Sequence, residues 1–222
     1  FLEMSFHKIK SYAKINLILN ITGKDSLLHK IESIIMFTAL HDEIFIKNIK
    51  SNNHNISFFG KFSAGINMNN TVTKLLNILE NKGLLKDKKF RIKINKKIPN
   101  RAGLGGGSMN AANILRYLIK KKIVKANKKE ISEICKLIGS DVILGLKSVN
   151  SILTSKNKIK YFKNTQKFNI LIIRPNFGCN TKKIYSYVNK FNKPKLNKPN
   201  KRMFETQFLI KNYNFLESFA FS

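Results

Sequence analysis

An α+β fold is predicted by three observations: strand-like stretches come first, at residues 12–21, 43–49 and 55–59, helical periodicity first appears at Thr71, and strand and helix groups then alternate along the chain. Residues 12–21 and 43–49 alternate and run apolar, and residues 55–59 are placed to pair with them, which predicts an antiparallel sheet. Residues 71–85 carry Val72, Leu75, Leu76, Leu79 and Leu84 at helical spacing and stop beside Gly83. Residues 90–94 alternate again as a strand that Pro99 closes, and 108–123 reads as a helix bearing Ala111, Ala112, Ile114, Leu115 and Leu118. A shorter helix follows at 128–138, strands at 151–154 and 169–173, and a helix at 182–189. A Pro- and Asn-rich loop at 194–200 then leads to a final helix over 205–221, and the join between two subdomains is expected near residue 155.

At 222 residues and 43% hydrophobic content the chain can bury a sizeable core. It holds no apolar run approaching the roughly 18–20 residues of a membrane span, and its first residues lack the succession of a signal peptide, so a soluble, intracellular protein is expected. Cys135 and Cys179 are too few for a disulfide framework and too far apart for a metal knuckle. The four histidines show no HxH or HxxxH spacing, and no structural metal is expected. The net charge of +30 is the kind of footprint nucleic-acid binders carry, but the lysines are spread along the whole chain among Asn and Ile instead of forming a block. Nucleic-acid binding is therefore set aside as the main activity, while the positive field can still attract anionic substrates. The first methionine is Met4, and the last residues carry Phe215, Leu216, Phe219 and Phe221 on an apolar stripe, which reads as a fragment of a longer protein.

The sharpest local feature is the run from Pro99 to Ala112, with Gly103, Gly105, Gly106 and Gly107 within five residues and a helix expected directly after. Glycines accept positive φ and let main-chain N–H groups approach a ligand that a Cβ would hold away, and the unpaired amides of a helix start face the same space. That arrangement suits phosphate. It is not a Walker loop, because no Gly-Lys-Ser/Thr follows at the required spacing, nor a dinucleotide fingerprint, because the GxGxxG frame from Gly103 ends in Ser108.

Pro99 followed by Gly-Leu-Gly-Gly-Gly-Ser and Asn110-Ala111-Ala112 resembles the ATP loop of the GHMP kinase superfamily. Ser11-Tyr12-Ala13-Lys14-Ile15-Asn16-Leu17 and Gly139-Ser140-Asp141-Val142 are similar to two further segments of its diphosphocytidyl-methylerythritol kinase branch, in matching order. The resemblance implies a GHMP kinase fold, with a ribosomal protein S5 domain 2-like N-terminal subdomain and an incomplete C-terminal α/β subdomain. It also implies an ATP-binding domain over 5–155, a partial C-terminal domain over 156–222, and ATP with Mg²⁺ as cofactors.

Carried over residue by residue, Asp141 is the expected base and Lys14 the cation beside it. Gly103, Leu104, Gly105, Gly106, Gly107 and Ser108 would hold the triphosphate, with Asn70 near the adenine and Lys97 close to the loop. Asn16, His29 and Tyr185 would contact a cytidine diphosphate ester of methylerythritol, Tyr185 by stacking. Read without the family, Asp141 could cap a turn, Lys14 could reach the surface from its strand, and Ser108 could cap a helix. The sequence departs from the branch at Leu27-Leu28, where it has Gly-Tyr before the histidine, and at Tyr12 and Ile143, where it has proline. A monomer or weak homodimer in the bacterial cytoplasm, or in a plastid, is the expected setting, with no membrane partner. Another small-molecule kinase of the superfamily, or a basic RNA-binding module, are the rival readings.

Overall fold

The computed structural model describes residues 5–25, 29–173 and 181–217. In chain order its elements are β1 (His7–Lys24), β2 (His29–Ile49), β3 (Asn55–Phe59), α1 (Thr71–Asn81), β4 (Lys89–Asn95), α2 (Gly106–Lys120) and α3 (Lys128–Ile138). They continue with α4 (Val142–Gly145), β5 (Ser151–Leu153), β6 (Ile159–Tyr161), α5 (Thr181–Ser186), a 3-10 turn (Lys201–Phe204) and α6 (Thr206–Leu209). Strands and helices in this mixture make an α+β fold, as the patterning predicts. No helix among the described residues is long and apolar enough to cross a membrane.

The chain divides into two compact units. The first comprises the chain up to Ala13, Ala39–Asn100 and Leu104–Ser148; the second comprises Lys14–Thr38, Arg101–Gly103 and the chain from Val149 onward. Both β1 and β2 therefore contribute residues to each unit.

In the first unit, β4 pairs antiparallel with the C-terminal half of β2, Ile44 opposite Ile94 and Ile46 opposite Ile92. On its other side β4 pairs parallel with β3, Ile56 opposite Ile92, so the expectation of a purely antiparallel sheet is corrected. The residues of β3 sit beside β4 rather than β2. Alternate residues Ile44, Ile46, Phe90, Ile92 and Ile94 point inward and are buried against Val72, Leu75, Leu76 and Leu79 of α1 and Ala111, Ala112, Ile114, Leu115 and Leu118 of α2. Each fully buried aliphatic side chain stabilises this core by about 1.5–3 kcal/mol. α4 lies against α2 with no room between them: a Cβ at Gly145 would come within 2.6 Å of the Ala112 Cβ.

Helix boundaries follow the local chemistry. Asn70 caps α1 by accepting from Val72 N and Thr73 N. The helix ends at Asn81, four residues before the expected limit of 85, because Gly83 turns the chain at φ 65° while Leu84 N still bonds to Leu79 O. α3 opens on a capping box in which Asn127 and Glu130 satisfy each other's backbone N–H, and it spans the expected residues.

In the second unit, Ser33, Ile34 and Ile35 of β2 pair with β5, which pairs in turn with the short β6 that periodicity does not reveal. Ile18, Ile34, Met36 and Ile152 pack with Leu196, Met203 and Phe204, and a smaller cluster joins Leu19, Ile21 and Val188. Glu32, fully buried, accepts from Asn20 Nδ2 at 2.9 Å, Lys195 N at 2.6 Å and Leu196 N at 3.0 Å, tying the loop after Asn192 to β2.

Three expectations are corrected here. Residues 169–173 form no strand; Leu171 and Ile173 are exposed and no ladder among the described residues is built on them. The helix expected over 182–189 is α5, which stops at Ser186. Over the described part of the expected final helix, α6 covers only Thr206–Leu209, since Asn214 leaves helical geometry to bridge Leu19, with Phe215 N donating to Leu19 O at 2.7 Å; residues 218–221 lie outside the described residues. Of the two cysteines, Cys135 is buried and free, and burial pushes its thiol up to about 11. Cys179, Leu27, Leu28, Met4, Phe219 and Phe221 lie outside the described residues.

Candidate functional site

The glycine run forms a turn that ends as the first turn of α2. Gly103 has φ 70° and Gly105 φ 68°, left-handed conformations that a side chain resists. From Gly105 the chain turns directly into helix, Met109 N donating to Gly105 O at 2.8 Å. Helix α2 therefore begins at Gly106, two residues before the expected start, so Gly106, Gly107 and Ser108 are its first turn. Their amides are those that an α-helix leaves without internal partners. Two main-chain features needed for an anion cradle, free amides and the positive end of a 15-residue helix, coincide at these residues.

The elements around this turn bring other expected residues to it. Thr71, next to the cap residue Asn70, donates from Oγ1 to Gly107 O at 2.7 Å, so the start of α1 is fastened to the start of α2. A Cβ at Gly107 would stand 3.1 Å from that hydroxyl. On the α3 side, Ser108 Oγ lies 3.8 Å from where a Gly139 Cβ would be, which sets the Gly139-Ser140-Asp141 turn beside the first turn of α2. Asp141 precedes α4 and its carboxylate makes no capping bond to that helix. Within the first unit, the structure thus gathers Asn70, Gly105, Gly106, Gly107, Ser108 and the turn carrying Asp141.

Lys97 stands differently. Its Nζ is half exposed and pairs with Glu43 Oε2 at 2.9 Å, where Lys8 also reaches Glu43 at 2.6 Å. The Lys8 and Lys97 ammoniums together hold the Glu43 carboxyl down to about 2. The neighbouring Lys96, not singled out by the motif, is 2% exposed and pairs with the fully buried Asp42. A signal for it exists in the sequence: Phe90, Ile92, Ile94 and Lys96 share one parity of β4 and its extension, and Asp42, Ile44 and Ile46 share the facing parity of β2.

In the second unit, the His29 and Tyr185 rings lie 5.3 Å apart, tilted by 40°, with Phe191 6.4 Å from His29. These two residues, 156 positions apart in sequence, are therefore neighbours, with β2 supplying one and α5 the other. Burial, helped by the Lys24 charge, holds the His29 imidazole below its ordinary value against a backbone bond to Val188, and so favours the neutral ring. Its Nε2 has no hydrogen-bond partner among the described residues. Asn16 accepts from Ser33 Oγ at 3.2 Å on the adjoining strand, which fixes its amide. Lys14 belongs to this unit and is 5% exposed, so it does not reach the surface as a lysine in an apolar strand ordinarily would.

A cavity of about 130 Å³ lined by Ile18, Leu196 and Phe215 together with Asn20, Glu32 and Lys195 also lies in the second unit. It is smaller than the roughly 300–1,000 Å³ of small-molecule pockets, and its one carboxylate is already saturated by the bonds described above.

Residues 70–151, from the cap of α1 through the glycine turn and Asp141 to β5, match the family described as GHMP kinases N terminal domain. The chain is 54% identical over 217 residues to the 4-diphosphocytidyl-2-C-methyl-D-erythritol kinase of Pelagibacter ubique, a match covering 98% of this chain and 77% of that relative. It is 33% identical over 194 residues to the protein of the same name from Clostridium perfringens, covering 84% of this chain and 65% of that one. Among solved structures it is similar to a 4-(cytidine 5'-diphospho)-2C-methyl-D-erythritol kinase, with TM-score 0.56 and 22% identity over 70% of this chain and 55% of the other. It is also similar to homoserine kinase from Cytophaga hutchinsonii, with TM-score 0.52 and 16% identity over 84% of this chain and 61% of the other. These two likenesses show a shared GHMP kinase fold. On the identity it keeps across nearly its whole length, the chain belongs to the 4-diphosphocytidyl-2-C-methyl-D-erythritol kinase family.

Proposed function

We propose that this protein transfers the γ-phosphoryl group of ATP to the 2-hydroxyl of 4-diphosphocytidyl-2-C-methyl-D-erythritol, a step of the non-mevalonate (methylerythritol phosphate) route to isoprenoid precursors. The observation that carries this reading is the 54% identity over 98% of the chain to a relative of that name. The glycine turn at the start of α2 supports the ATP half of it, and the paired His29 and Tyr185 rings support the cytidine half.

In this reading Gly103, Leu104, Gly105, Gly106, Gly107 and Ser108 receive the triphosphate, Asn70 lies on the adenine side, and Lys97 leaves Glu43 to reach a phosphate. Asp141 accepts the proton of the acceptor hydroxyl; the oxygen of that hydroxyl bonds the γ-phosphorus as the bond to the bridging oxygen breaks and ADP departs. Lys14 keeps a positive charge for the developing negative charge on the transferred group. Asn16 binds the erythritol part, His29 the cytosine, and Tyr185 stacks on it. A neutral His29 suits that role, since one ring nitrogen donates and the other accepts.

Mg²⁺ fits as the companion of the nucleotide, which would hold it through phosphate oxygens with the Ser108 hydroxyl nearby. No group of three or more His, Cys, Asp or Glu among the described residues offers a metal site of its own. When bound it would neutralise charge on the β and γ oxygens. The same proposal divides the chain into an ATP-binding part over 5–155 and a C-terminal part over 156–222, and places a monomer or weak homodimer in the bacterial or plastid interior. Steady-state assays of ATP-dependent phosphorylation by the full-length protein test the reading. Asp141→Asn is expected to lower kcat by about 10²–10⁴ with the thermal midpoint unchanged. No turnover by the wild type, or full turnover by the variant, overturns it.

A further inference from the structure

Beneath the glycine turn, one buried carboxylate joins the two ends of the phosphate loop. Asp42 Oδ1 accepts from Lys97 N and Ile98 N, each at 2.8 Å, where the chain leaves β4. Asp42 Oδ2 accepts from Lys96 Nζ and, at 2.9 Å, from Asn110 Nδ2 on the second turn of α2. The three side chains are 0%, 2% and 1% exposed, so they act from inside the protein and present nothing to a ligand in solvent. The Lys96 ammonium lies directly under the main chain of the loop: a Cβ at Gly106 would meet it at 3.1 Å, and Ile98 Cγ2 at the same distance.

We propose that Asp42, Lys96 and Asn110 form a clasp that fixes the mouth of the glycine loop, making Asp42 and Lys96 positioning residues for the nucleotide's phosphates. The inference rests on the nucleotide-binding reading above. Stability alone is a poor reason for this pair, because desolvating two charges offsets most of their attraction and well-packed apolar residues often serve a core as well. The geometry supplies another reason. Segments 96–98 and 106–110 flank the glycine run on either side, and a carboxylate shared by both helps set the distance between them before any ligand arrives. Pre-ordering of this kind lowers the ordering cost that binding must meet. Gly106 shows the same constraint from the other side, since a side chain there would force the ammonium or Ile98 away.

The test removes the charges together. In the double variant Asp42→Asn with Lys96→Met, the introduced amide keeps an oxygen for Lys97 N and Ile98 N. Its NH₂ can meet the Asn110 Oδ1, which has no hydrogen-bond partner among the described residues, after the Asn110 amide turns over. The double variant is expected to melt near the wild type. Its dissociation constant for Mg-ATP, by titration calorimetry, is expected to rise about tenfold while that for adenosine stays put, and KM for ATP to rise with no change in KM for the second substrate. An ATP affinity within twofold of wild type in the folded double variant, or an equal loss for adenosine, overturns the clasp. Should the double variant fail to fold, Asn110→Ala decides: it leaves the ion pair and both backbone bonds, and a rise of about threefold for Mg-ATP alone is expected, with no rise overturning the clasp. A wild type that does not bind Mg-ATP overturns the kinase reading itself, and the clasp with it.

Discussion

The glycine turn of the first unit and the ring pair of the second present groups to a ligand by opposite means. At Gly105 to Ser108 the presenting groups are main-chain amides, and side chains matter as supports placed underneath. At His29 and Tyr185 the presenting groups are the side chains themselves, one on a long strand and the other on a six-residue helix. The difference teaches where each region is vulnerable. The first should be sensitive to any added or lost atom in its buried scaffold, and the second mainly to the ring that is removed.

The largest expected effect comes from splitting the buried pair. Lys96→Met alone leaves Asp42 as an uncompensated buried charge, which costs about 3–5 kcal/mol. At about 2–4 °C per kcal/mol for a chain of this size, the thermal midpoint should fall by roughly 6–20 °C, and calorimetry checks it. Next comes Gly145→Ala, in which the new methyl would stand 2.6 Å from the Ala112 Cβ and 3.0 Å from the Met109 Sδ. Neither helix has slack there, so a loss of about 1–3 kcal/mol is expected, read by urea denaturation. A neutral result for either would show that the scaffold under α2 yields more easily than its packing indicates.

The second region should behave otherwise. Tyr185→Ala removes one ring of a tilted pair worth about 0.5–1.5 kcal/mol, so KM for the cytidine substrate should rise about 2–12-fold with KM for ATP unchanged. A rise in both constants would mean that the two regions are not separable, and no rise in either would remove Tyr185 from substrate binding.

What could be read in advance differed between the regions for physical reasons. The glycine turn, α1, α2 and α3 depend on local properties, namely positive φ, caps and a 3.6-residue period, and these are written in consecutive residues. Asp42 and Lys96 depend on a partnership across 54 positions. Strand parity marks both as inward-facing, yet beside the motif Lys97 looks the more natural phosphate ligand until the pairing is seen. In the second unit, periodicity misled. Residues 169–173 are apolar enough for a strand but have no neighbour to pair with among the described residues, and apolar spacing over 205–221 could not reveal that Asn214 would leave the helix to bridge Leu19. His29 and Tyr185 were legible only through the family motif, since nothing in the chain between them signals that β2 and α5 meet. The branch's tyrosine position, Leu28 here, lies outside the described residues.

The smallest expected effects concern pH, and both regions contribute to them. Burial holds His54, stacked on Phe90, below its ordinary 6.5, although Glu80 lies near enough to oppose that shift. The unfolded chain therefore takes up this proton first as pH falls, and stability declines below about 6.5. Glu43 is depressed from 4.5 to about 2, so its contribution is fully present above 4.5 and is lost as pH falls from there toward 2. Glu43→Gln should thus flatten only the acid end of the melting curve, while His54→Asn should flatten the stretch just below 6.5. His29 is lowered by the same cause, with Lys24 adding to it, and it belongs to the second unit. The slope that survives in His54→Asn just below 6.5 should accordingly flatten further when His29→Asn is added. Melting temperatures across that window in the single and double variants measure how much each region's imidazole resists its proton. A double variant as steep as the wild type would mean that neither burial controls the acid response.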